Sequence, residues 1–84
     1  MSIQEQAQHL EQLADQVPTG IALATKSELE DLQARVLGVL GATGTATAVQ
    51  GAIQLALHQI DELAASLENV RGQIQDAARH HLQG

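Results

Sequence analysis

The sequence has no phenylalanine, tyrosine or tryptophan, and no cysteine. Without aromatic rings a core has to be built from leucine, isoleucine, valine and alanine, each of which buries less surface. Without cysteine there is no disulfide to restrain the unfolded chain and no thiolate to hold a metal. The same absence fits a reducing or an oxidising compartment and decides neither. Basic residues are also scarce. Lys26, Arg35, Arg71 and Arg79 stand against ten acids, for a net charge of −6. That balance repels phosphate backbones, and no aromatic side chain is available to stack on bases, which argues against nucleic-acid binding. The N-terminal stretch MSIQEQAQHLEQ lacks the basic and apolar regions of a classical secretory signal. The expected location is therefore the cytoplasm, or the exterior by a route that needs no signal peptide.

A chain of 84 residues forms one domain at most. A single core at this length supplies only about 3–5 kcal/mol of net stability. With disulfides excluded, oligomerisation is the remaining common remedy, so a dimer or larger assembly is expected.

What is present is organised around an uncharged stretch, residues 36–60, VLGVLGATGTATAVQGAIQLALHQI. Its length would suffice for a membrane span, which needs about 20 apolar residues. However, Thr43, Thr45, Thr47, Gln50, Gln54, His58 and Gln59 interrupt it, and no basic cluster or aromatic belt flanks it. Adsorption of the arms to anionic lipid would need basic residues on their polar faces, which are rich in glutamine and glutamate instead. Adsorption to a neutral apolar surface, such as a storage granule, is a separate reading.

Two amphipathic arms flank the centre of this stretch. In the second, Val49, Ile53, Ala56, Ile60, Leu63, Leu67, Val70, Ile74 and Ala77 step alternately by four and three. This heptad pattern predicts one long helix over residues 46–82. Leu57, Ala64 and Ala78 widen the stripe on one side, as in a helix with more than one neighbour. The first arm, residues 2–40, repeats the pattern through Ile3, Ala7, Leu10, Ala14, Val17 and Ile21, then Leu29, Leu32, Val36 and Val39. Pro18 and Gly20 interrupt it. Proline removes a helical hydrogen bond and clashes with the preceding turn, so the arm is either one helix kinked near Pro18 or two helices broken there. Ser27-Glu28-Leu29-Glu30 matches a capping box that would start a fresh helix.

Residues 41–45 are the expected turn, with Gly41 or Gly44 in the left-handed conformation past a helix end and Thr45 or Thr47 capping the next helix. The alternative is that Gly38, Gly41 and Gly44 allow close helix packing. Against it, glycine in a helix costs about 1 kcal/mol relative to alanine. With the turn there, the two arms match at roughly 55 Å each, from 1.5 Å per residue. The expected fold is all-α: a hairpin of two long antiparallel helices. A second hairpin would complete a four-helix bundle. The expected interface is the seam of Ile21, Leu29, Leu32, Val36 and Val39 with Val49, Ile53, Ile60, Leu63, Leu67, Val70 and Ile74.

The residues able to do chemistry are few. His9, His58, His80 and His81 are the only imidazoles. Adjacent His80 and His81 point about 100° apart on a helix and do not chelate as an i,i+4 pair does. The Glu-x-x-His pattern of di-metal bundles is absent. No serine lies in a Gly-x-Ser-x-Gly elbow, and the central glycines lack the spacing and lysine of a phosphate-binding loop. No catalytic residue, metal ligand or cofactor is expected. The function read from the residues is association, with itself or with a helical protein partner; a metal-dependent assembly through the histidines is an alternative.

The layout of two matched helical arms about Gly41-Ala42-Thr43-Gly44 resembles the WXG100 (ESX) family of small helical-hairpin proteins. The family's Trp-x-Gly turn would fall on these residues, which supply glycine without tryptophan. Its Tyr-x-x-x-Asp/Glu export signal has no counterpart here. The resemblance implies the hairpin architecture, pairing into homodimeric or heterodimeric four-helix bundles, and export by a type VII secretion system without a cleaved signal. It assigns no functional residue.

Overall fold

A computed structural model describes residues 2–83. Among them there are three α-helices and no strand: α1 (Ile3–Asp15), α2 (Thr19–Leu40) and α3 (Gly44–Gln83). The expected all-α class and helical-hairpin plan both appear.

The first arm is two helices. Ser2 is extended, and its hydroxyl accepts a hydrogen bond from the Glu5 N–H at 3.1 Å. This cap opens α1 by satisfying one of the N–H groups that have no partner within the helix. At the other end the Gln16 N–H donates to the Leu13 carbonyl at 3.0 Å and the Val17 N–H to the Ala14 carbonyl at 3.2 Å. These three-residue closures tighten the last turn, and Pro18, with no N–H to donate, cannot extend the ladder. α2 starts at once, at Thr19. The capping box at Ser27 therefore starts nothing, because Ser27 lies inside α2. A capping signature acts only where the chain is not already helical.

The turn after α2 is three residues long. Gly41 has φ +64°, and its N–H donates to the Leu37 carbonyl at 2.9 Å. Only glycine adopts this left-handed conformation without strain from a Cβ. Gly44 is instead the first residue of α3. The cap of α3 is Thr43, neither Thr45 nor Thr47: its hydroxyl accepts from the Ala46 N–H at 3.1 Å. The cap lies two residues before Thr45 and four before Thr47, so both fall inside the helix. None of the described helical glycines approaches a neighbour closely; a Cβ at Gly38, Gly44, Gly51 or Gly72 would meet nothing within 4 Å.

The chain divides into two compact units, and α3 contributes to both. One, Gly20–Ala64, is a hairpin of α2 against the first part of α3. Here Ala22, Lys26, Leu29, Gln33, Val36 and Leu40 are buried or half-buried on α2, as are Ala46, Gln50, Ile53, Leu57, Ile60 and Ala64 on α3. Both sets step by four and three, so a single seam joins antiparallel helices. The Lys26 ammonium, about two turns into α2, lies 2.8 Å from the Asp61 carboxylate. The other unit pairs α1 with α3 from Ala65 onward. Its seam uses Ala7, Leu10, Ala14 and Val17 against Leu67, Arg71, Ile74 and Ala78. The His81 ring Nε2 meets the Gln6 side-chain oxygen there.

Both seams are thin. Among the described residues, the buried apolar ones are Ala7, Ala14 and Ala78 in one unit, and Ala22, Ala46 and Leu57 in the other. Leu57, 8% exposed, is the only large side chain among them.

Candidate interaction surface

The expected interface residues fall into two sets. Leu29, Val36, Ile53, Ile60, Leu67 and Ile74 are half-buried in the seams just described. Leu32, Val39, Leu63 and Val70 are exposed, and Val49 is half-buried. In heptad terms the second set occupies the position immediately preceding an inner seam residue: Leu32 before Gln33, Val39 before Leu40, Val49 before Gln50, Leu63 before Ala64, Val70 before Arg71. Ile21, 70% exposed, is further round α2. The apolar stripe of α3 is thus one heptad position wider than its partner helix covers.

In the Gly20–Ala64 unit these positions share one flank. Two antiparallel helices that meet along a seam place the residues preceding their inner positions on the same side. Thr25, Leu32 and Val39 of α2 accordingly flank the same side as Val49, Ala56 and Leu63 of α3. None of the six is charged. Three of the large ones are open to solvent, Leu32 at 48%, Leu63 at 52% and Val39 at 84% exposure, while Val49 is half-buried. The next positions outward are Thr45, Ala52 and Gln59 on α3, all uncharged, and Ile21, Glu28 and Arg35 on α2, the last two of opposite sign. The opposite side carries the Lys26–Asp61 ion pair and Glu30. There the hydrogen bond and negative charge of Asp61 raise the Lys26 pKa above the ordinary lysine value. In the other unit, Leu13 and Val70 are exposed apolar residues, while the far side holds a groove lined by Glu11, Asp15, Gln75 and Arg79. Arg79 is occupied by Asp76, one turn before it.

The groups capable of chemistry are dispersed. His9 and His80 are exposed, His58 lies 2.8 Å from Glu62 on the same helix, and His81 meets Gln6. Among the described residues no three of His, Cys, Asp or Glu come together as a metal would require. Arg71 occupies an inner seam position, with its guanidinium 3.6 Å from Glu68 and its Nε without a protein acceptor. No described helix is long and apolar enough to cross a membrane.

Heptad reading marked these apolar residues and could not separate the covered from the exposed ones. The signal that separates them is the pairing of Leu57, Ala64 and Ala78 with the inner seam. Compared with known protein families, curated protein sequences and solved structures, the chain has no significant match.

Proposed function

We propose that this chain is a non-enzymatic helical protein whose work is association, with a second copy of itself or with a helical protein partner, in a four-helix bundle. One observation carries the reading: among the described residues five alanines and a single leucine are buried, while nine large apolar residues remain exposed. Burying a large apolar side chain is worth about 1.5–3 kcal/mol, and alanine supplies only a fraction of that. A hairpin this poor in buried area needs further cover to be stable. Light scattering or sedimentation over a concentration series tests the reading. The expected result is a helical dimer or larger assembly; a stable helical monomer at micromolar concentration overturns it.

A second reading is a secretion substrate of the ESX kind, or its pairing partner, exported without a signal peptide. The helical hairpin turning at Gly41 supports it. Its test is export: the intact protein should reach the medium in cells with an active type VII secretion ATPase and stay inside when that ATPase is deleted.

A further inference from the structure

We infer that the uncharged flank of the Gly20–Ala64 unit, formed by Leu32 and Val39 of α2 with Val49, Ala56 and Leu63 of α3, is the face on which a second copy of this chain docks. The inference rests on the association reading and adds to it the surface and the occupant.

Area supports the first step. The chain exposes 5914 Å², whereas a folded monomer of 8.9 kDa is expected to expose about 4,800 Å². The excess is about 1,100 Å². A standard stable interface removes about 800 Å² from each partner. One docked copy therefore brings the chain into the ordinary range.

Charge selects the face. With a net charge of −6, two copies repel unless their acids are kept apart. The side bearing Glu30 and Asp61 would bring like charges together. The six residues of the flank of Leu32, Val39 and Leu63 carry no charge, and the charged residues at its rim on α2, Glu28 and Arg35, are of opposite sign. Its centre is free of charge, as interface cores are. A self-complementary patch is what a two-fold dimer uses. Each copy presents one ridge from α2 and one from α3, and two such pairs face to face make the four helices of a bundle.

The test compares two double substitutions of similarly exposed leucines. Leu32→Glu with Leu63→Glu charges the flank; Leu23→Glu with Leu55→Glu charges positions elsewhere, each 59% exposed. Mass is measured by light scattering over a concentration series, and helicity by circular dichroism. The expected result is a dimer for the native chain and for the Leu23/Leu55 variant, with the dissociation constant of the Leu32/Leu63 variant raised at least a hundredfold. A Leu32/Leu63 variant that dimerises like the native chain overturns the choice of face and leaves the association reading standing. A native chain that is monomeric throughout overturns that reading as well. A gentler variant serves if the charged one does not fold. With no native cysteine, Leu63→Cys carries a single thiol. Its reaction with a maleimide should slow as protein concentration rises, while that of Leu55→Cys should not. Equal rates at all concentrations also overturn the inference.

Discussion

Leu57→Ala is the substitution on which the account of the fold depends most. Among the described residues Leu57 is the one large side chain taken almost wholly out of water, at 8% exposure. Replacing a buried leucine by alanine costs the lost transfer energy plus that of the cavity left behind, in all about 2–5 kcal/mol. Its seam neighbours Ile53 and Ile60 are only half-buried, so the gap can partly close or fill with water. The lower part of the range applies, about 2–3 kcal/mol. Against a total of about 3–5 kcal/mol for a core of this size, that removes half or more of the stability. The chain has no aromatic residue to give fluorescence or useful absorbance near 280 nm, so unfolding in urea is followed by circular dichroism at fixed protein concentration. With a slope of about 1 kcal/mol/M, the midpoint should fall by about 2–3 M. Leu55→Ala, two residues away and 59% exposed, should stay within about 0.5 kcal/mol of the native chain. A loss below about 1 kcal/mol at Leu57, or equal losses at both positions, would refute the placement of the seam.

Two further predictions concern backbone and charge. Gly51 and Gly72 lie within α3 with open space where a side chain would project. Alanine at either should stabilise by about 0.5–1 kcal/mol, whereas Gly41→Ala, at φ +64°, should destabilise by about 1–2 kcal/mol; thermal melts of the three variants show both signs. The Lys26–Asp61 pair sets a dependence on alkaline pH. Because folding raises the Lys26 pKa, the contribution is complete below the unfolded lysine value of about 10.4. It is lost as pH rises through the higher folded value. The melting temperature of the native chain should fall over that interval more than that of Lys26→Met, and equal falls would remove the pair from the account.

Much of the fold was legible because its signals are local. A four-and-three spacing over residues 49–77 is enough to make a helix of that stretch, since the period of the apolar residues matches the helical turn. Pro18 without an N–H marks the break between α1 and α2, and Gly41 between two periodic arms marks the reversal. Exact starts were less legible. Ser2 and Thr43 cap helices, while Ser27, with the same Ser-x-x-Glu signature as Ser2, does not, because α2 is already under way when it is reached.

The sequence by itself determined helices, their turn, and an apolar stripe three heptad positions wide on the second arm. Only the tertiary structure decided which part of that stripe goes inside. Leu57, Ala64 and Ala78 read as the edge of the stripe but join the inner seam with Ile53, Ile60, Leu67 and Ile74, while Leu63 and Val70 are left outside. The reason is geometric. A stripe three heptad positions wide can present either of two adjacent pairs of positions to a neighbour. The choice is made by the rotation of the opposing helix, which no single helix encodes.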